Sequence, residues 1–262
     1  MIKELSMSNK KTSYPSFGKV LAGVMAILVI NCMMKYFGGL SVSNSAEKAI
    51  NNYAQAHGYS RSDYPNELVK LLESNSETEE FVLNYPEMVS EGAADKIDLT
   101  QYTNCKQPPL LMQWDSRWGY MSYNDSVMGL NGSVPTCLSM TAIYKLQDVS
   151  MSPVYMADMA VQNGWASKPE KLLTEGARSI GLNVAQLPVS EGKLSSSIQS
   201  GSTVICLTDG KLLSTAVVIY AMDENGGYKI NDPMSKEKSG KTYTYSEINK
   251  NIRKMWEYST QT

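Results

Sequence analysis

The chain of 262 residues has one histidine, His57, and four cysteines, Cys32, Cys105, Cys137 and Cys206. A single histidine and no Cys-x-x-Cys pair leave nothing with the spacing of a zinc site. The scattered Asp and Glu show no i, i+4 pairing with Cys or His, so no metal is expected. No glycine-rich phosphate loop is present, and no cofactor is expected. Cys32 falls in an apolar run, which leaves three other thiols, an odd number without framework spacing. A disulfide scaffold is therefore not expected, although a single bridge through Cys105 stays open. The net charge of −2 and a charged fraction of 19% exclude a surface built to neutralise phosphates, so no nucleic-acid partner is expected. Sixteen Tyr, ten Pro and eighteen Gly are spread along the chain, against low complexity or solenoid repeats.

What is present is enough chain for one substantial domain with an appendage. Near the start, "FGKVLAGVMAILVINCMMKYFGGL" contains an uncharged run from Val20 to Met34, preceded by Lys10, Lys11 and Lys19. Extended to Leu40, it spans a hydrocarbon core of about 30 Å as a helix. The lysines ahead of it orient residues 1–19 to the cytoplasm and the remainder outside, anchored to the cell membrane by 20–40. Cleavage as a signal peptide, giving a secreted protein, is the competing reading, with small residues in "SVSNSA".

Residues 44–106 read as a helical lead-in. "SDYPNELVKLLESN" offers Ser62 or Asp63 as an N-cap, Pro65 in the first turn and Leu68, Leu71 and Leu72 on one face. Ser76 with Glu79 has the spacing of a capping box before Phe81 and Val82. From Gln107 the pattern changes to a domain over 107–262. An extended stretch with Trp114 and Trp118 leads to a helix expected from about Pro135 to Leu146. "SPVYMADMAVQNG" is a second helix, with Ser152 as cap, Pro153 at its first position and Gly164 beyond its end. "EKLLTEGARSIGL" is a third, stopped by Gly181. Beyond Ser190 the character turns to strands, with a tight turn at Asn225-Gly226. Helices first and strands second make an α+β domain.

The stretches "QWDSRWGYMSYNDS", "GSVPTCLSM", "SPVYMADMAVQNGW", "LLTEGARSIGL" and "KINDPMS", in this order, resemble the papain-like cysteine peptidases related to bacteriocin (double-glycine) leader peptidases, in their membrane-attached bacterial form. The likeness runs from about Asp63 to Trp256. It implies a papain-like α+β fold, helices packed on an antiparallel sheet, with a cleft for an extended peptide. In that family a Gly-Cys-Gly-Pro-Thr stretch precedes the helix, and here Gly132, Pro135 and Thr136 match. Ser133 occupies the nucleophile position and Val134 the following glycine. The family histidine, set between glycine and phenylalanine, corresponds to Thr215 between Ser214 and Ala216. Asp232 in "NDP" matches the third residue, which orients the histidine in the family.

A serine hydroxyl attacks a carbonyl only with a base beside it, and Thr215 is not one. Asp232 then has no imidazole to orient, and reads as the acceptor of an Asx turn before Pro233. Cys137, four residues into the helix, reads as a packed core residue. Tyr123-Asn124 replaces a Tyr-Gly, and "SKPE", Ser167 to Glu170, replaces a cleft-lining Gly-Thr-Ser-Trp. The resemblance therefore implies a pseudopeptidase whose cleft binds a peptide or envelope protein. Trp114, Trp118, Tyr120, Tyr123, Asn124, Trp165 and Glu170 are the expected cleft residues. The alternatives are an active cysteine or serine peptidase, in which Cys137 or Ser133 works with an unrecognised base such as Lys145 or Lys211, and an inert scaffold on an envelope complex.

Overall fold

The computed structural model describes residues 45–91 and 97–260. The chain divides into two units, Met1–Lys48 and Ala49–Thr262, and the sheet with its covering helices belongs to the second. The expected cytoplasmic segment 1–19, the span 20–40 and Cys32 lie outside the described residues. Among the described residues, no helix is long and apolar enough to cross a membrane.

A helix over residues 45–57 (α1) is followed by α2 (Asn66–Ser74), α3 (Glu79–Leu83) and α4 (Tyr85–Glu91). A small hairpin, β1 (Ser122–Tyr123) and β2 (Ser126–Val127), precedes α5 (Met128–Asn131), α6 (Ser133–Leu146) and α7 (Pro153–Gln162). A further helical stretch comprises α8 (Pro169–Lys171), a π-helical turn (Leu172–Gly176) and α9 (Ala177–Ser179). Next come β3 (Leu182–Leu187), α10 (Glu191–Gln199), β4 (Thr203–Thr208), β5 (Ala216–Met222) and β6 (Tyr228–Asn231). The last elements are α11 (Lys236–Ser239), β7 (Thr242–Tyr243), α12 (Tyr245–Ile248) and β8 (Ile252–Thr260). Six of the strands form one antiparallel sheet in the order β3-β8-β4-β5-β6-β7, so the domain is α+β.

Both faces of the sheet are covered, which explains why β4 and β5 read as unbroken apolar runs rather than alternating ones. With the two-residue period of a strand, Ile205, Ala216, Val218, Trp256 and Tyr258 join the core containing α6 and α7. Their neighbours Val204, Cys206, Val217, Ile219 and Met255 join a second core with Leu194 and Ile198 of α10. Every residue from Ser133 to Ile143 of α6 is buried. Its apolar and small side chains run all the way round, as a central helix requires. Pro135 is tolerated because it lies in the first turn, and Gln147 ends the helix in the left-handed region at φ 54°.

The lead-in is wedged onto the domain by Phe81, which is buried. A Cβ on Gly129 would sit 2.2 Å from the Phe81 ring, and one on Gly119 would sit 2.9 Å from it. Only glycine at these two positions lets the ring in. Tyr120 stacks on Phe81 with ring centroids 4.7 Å apart and donates its hydroxyl to the Phe81 carbonyl at 3.1 Å.

Several local expectations are corrected. Neither Ser62 nor Asp63 caps α2. They belong to a short 3-10 turn, Arg61–Asp63, closed by a capping box between Ser60 and Asp63, and Pro65 is the residue flanking α2. No Ser76/Glu79 box forms, because Asn75 takes the capping role, accepting Glu77 N–H, and 76–78 becomes a 3-10 turn. The helix expected from Pro135 begins at Ser133. Strand character does not start after Ser190: β3 lies before it, and α10 follows it directly. Helix α7 has the cap expected of it, with Ser152 Oγ accepting from Tyr155 N–H and Pro153 in the first turn.

Candidate functional site

Ser133 enters the site from the first turn of α6 and Thr215 from the residue before β5, 82 positions along the chain. Their hydroxyls share a hydrogen bond of 2.6 Å. Ser133 is buried and Thr215 is exposed, so the pair sits where the buried helix meets solvent. Ser214, the residue before Thr215, donates both its N–H, at 3.0 Å, and its hydroxyl to the Asp232 carboxylate. Asp232 is fully buried and also accepts Met234 N–H at 2.9 Å, the Asx turn expected before Pro233. The structure thus brings Ser133, Thr215, Ser214 and Asp232 into one neighbourhood.

A groove of about 360 Å3 opens over this pair, lined by Ser133, Thr215, Tyr123, Asn124, Ser167 and Pro169 among others. Asn124 and Asp125 form the two-residue turn of the β1–β2 hairpin with φ of 50° and 60°. Asn tolerates that left-handed conformation, which explains how it stands in for glycine there. Burial pushes the Tyr123 phenol up to about 12, so it lines the groove as a neutral hydroxyl.

The remaining expected cleft residues are corrected or relocated. Trp118 is fully buried, with its indole N–H donated to the Met112 carbonyl at 2.9 Å, and is a core residue. Tyr120 is buried against Phe81 in the lead-in contact. Trp165 packs half-buried against the core containing α6. Trp114 borders a different cavity and donates its indole N–H to the Met234 carbonyl at 2.8 Å. Glu170 is exposed and paired with Lys254 at 2.5 Å. Aromatic rings in a globular chain are drawn first to the core, and the large area of Trp118 is best removed from water there.

Burial, and secondarily the charge of Asp232, pushes the Cys137 thiol well above its ordinary value, and the side chain is fully buried. A thiolate is the reactive form, so this environment suppresses reactivity. Cys105, Cys137 and Cys206 are all free thiols. Lys145 donates to the Gly201 carbonyl, and Lys211 pairs with Asp209 at 3.5 Å. His57 stacks on Tyr53 in α1 at 3.9 Å, with Nδ1 at 2.8 Å from the Tyr53 carbonyl. Among the described residues, no group of His, Cys, Asp and Glu has the geometry to hold a metal.

Sequence reasoning missed Gln113. It is buried, its amide nitrogen donates to the carbonyls of Gly129, at 2.9 Å, and Leu130, at 3.2 Å, and its Oε1 has no partner. Its place beside Trp114 in an extended, proline-led stretch was the available signal. No protein-family model, curated protein or solved structure matches the chain.

Proposed function

We propose that this chain is a membrane-tethered, extracytoplasmic pseudopeptidase of papain-like fold that binds an extended peptide without cutting it. The observation that carries the reading is the Ser133–Thr215 hydrogen bond. The two positions that the family resemblance assigns to nucleophile and base meet at bonding distance, and both are neutral hydroxyls. Neither takes a proton at neutral pH, so Ser133 stays a weak nucleophile at the mouth of an open groove. A buried helix whose first turn abuts an antiparallel sheet supports the papain-like architecture. The groove supports peptide binding, since backbone pairing and side-chain pockets do not require the catalytic groups. The lysine-flanked run Val20–Leu40 supports the membrane tether.

The test pairs the full chain with a variant carrying Ser133→Cys, Val134→Gly and Thr215→His. Each is incubated with a diverse peptide library and assayed for binding and cleavage. Binding without cleavage by the natural chain, with cleavage by the variant, is expected. Cleavage by the natural chain that Ser133→Ala abolishes overturns the reading.

A further inference from the structure

The six-stranded sheet has two edges, and they differ. At one end β7 is only two residues long and lies between α11 and α12 in the chain. At the other end β3 runs for six residues, Leu182–Leu187, with no charged residue, no proline and no bulge in its pairing with β8. Proteins that keep an edge from pairing shorten it, charge it or bend it away. β3 has none of these devices within it, and Asn183, Ala185 and Gln186 are exposed. A groove of about 340 Å3 follows this edge, lined by Arg178, residues 182–185 and Glu257 among others.

The register of the sheet fixes which backbone groups of β3 face outward. Thr208 gives its N–H to the Thr215 carbonyl at 3.0 Å, which turns Thr208, Cys206 and Val204 toward β5 and leaves Thr203 and Ile205 facing β8. Tyr258 and Trp256, opposite Thr203 and Ile205, therefore bond to β4. Their neighbours Ser259 and Glu257 bond to β3, at Asn183 and Ala185. The N–H and C=O groups of Leu182, Val184 and Gln186 are left pointing away from the sheet. Among the described residues they have no backbone partner.

One side chain touches this row. Arg178 of α9, a helix whose Ala177 is in the core containing α6, donates to the outward Val184 carbonyl at 3.3 Å. Arg178 is exposed and has no ion pair among the described residues. A strand that adds to β3 must take the Val184 carbonyl, and so displaces the guanidinium into the new junction. A strand that carries a carboxylate on that face gives the guanidinium a stronger acceptor than the one it loses. A second copy of this chain does not. The two-fold axis of an antiparallel β3–β3 pair stands perpendicular to the sheet, so it sets two Arg178 side chains on the same face about one axis, where like charges repel. On the opposite face Glu257 accepts the Ser197 hydroxyl of α10 at 2.6 Å, and its charge disfavours an acidic residue there.

We infer that the β3 edge is a docking strand for an extended, acidic segment of a partner protein, which adds as a seventh strand and places a carboxylate on Arg178. Main-chain bonds to residues 182, 184 and 186 supply the affinity and Arg178 supplies the selection. This site lies on the far side of β8 and β4 from Thr215, and it stands whether or not the groove over Ser133 binds a peptide.

The experiment measures binding of short fluorescent peptides of alternating Thr and Val, with one central residue changed to Glu, Gln or Lys, to the full chain. The Glu peptide is expected to bind about five-fold more tightly than the Lys peptide, with the Gln peptide between them and the spread shrinking at high salt. Gln186→Pro removes an outward N–H from an exposed residue and leaves the pairing with β8 in place, so it is expected to weaken all three peptides about five-fold. Val184→Pro removes the neighbouring outward N–H and makes the same test should Gln186→Pro unfold. Arg178→Glu is expected to reverse the order of the Glu and Lys peptides. Binding that the proline variants leave unchanged lies elsewhere on the molecule and overturns the docking strand. An order of peptides that Arg178→Glu leaves unaltered overturns the carboxylate assignment. Failure of the natural chain to bind any of the three overturns the inference, and a dimer in sedimentation that Gln186→Pro dissolves overturns it in favour of a second copy.

Discussion

Replacing Asp232 with alanine tests whether the buried carboxylate beside the Ser133–Thr215 pair holds the site together. Asp232 has no exposed surface and accepts from Ser214 N–H, Ser214 Oγ–H and Met234 N–H. No ion pair to it exists among the described residues, so these three donors are what offset its desolvation. In Asp232→Ala the Ser214 hydroxyl, on a half-buried residue, can turn to water. The two backbone N–H groups cannot move so easily, and each left unpaired costs about 1–3 kcal/mol. Relief of the buried charge offsets part of this, giving an expected net loss of about 2–4 kcal/mol. Asp232→Asn keeps one acceptor oxygen but turns an NH2 group toward a donor, so a smaller loss of about 1–2 kcal/mol is expected. Urea unfolding at neutral pH, with an unchanged slope, gives both numbers, and hydrogen exchange at Ser214 and Met234 should quicken. A loss below about 0.5 kcal/mol for Asp232→Ala, or a gain, refutes the reasoning, because the carboxylate would then be a net burden that its donors fail to offset.

Gly129→Ala drives a methyl group into the Phe81 ring and is expected to lower stability by about 1–3 kcal/mol, with partial recovery when Phe81→Leu is added. Additive losses in that pair would remove Phe81 as the wedge that seats the lead-in. Burial raises the thiols of Cys137 and Cys206 and the phenols of Tyr123 and Tyr258. The folded state therefore keeps protons that the unfolded state gives up from the ordinary thiol value of 9.0 upward. Stability is expected to be fully retained between pH 7 and 8 and to fall progressively above pH 9. Thermal unfolding across that range checks it, and a rise in stability above pH 9 would reverse the sign. In the same native samples Cys137 is expected to resist alkylation until the protein unfolds, and prompt labelling at neutral pH would make it a reactive thiol after all.

Helix α7 is readable in advance because its signals are local: a serine cap, a proline in the first turn and Gly164 at φ 66°. The helical stretch through "EKLLTEGARSI" likewise stops where Gly181 adopts φ 91°. Helix α10 is not readable in this way. "EGKLSSSIQ" is rich in serine, a weak helix former, and becomes helical because Leu194 and Ile198 are buried on the sheet. Nor do Trp118 and Trp114 differ in type, yet one is core and the other borders a cavity, a distinction set by neighbours far away in sequence. The Ser133–Thr215 contact is legible only through the family resemblance, since no periodicity links residues 82 positions apart. The bonds from Glu77 to Ser235 and Lys236 had no signal at all.

Strand β8 is the last strand in chain order, yet it lies between β3 and β4, pairing Leu182 with Thr260 on one side and Thr203 with Tyr258 on the other. Until it arrives, β3 has no neighbour, and the two aromatic rings Trp256 and Tyr258 are missing from the core beneath α6. Such a sheet cannot be assembled strand by strand as the chain emerges from the ribosome, and its long-range pairing slows folding. Helices α6 and α7 must wait with an apolar flank uncovered. A chain truncated before Ile252 would be left in that unfinished state, with β3 unpaired and the core beneath α6 open.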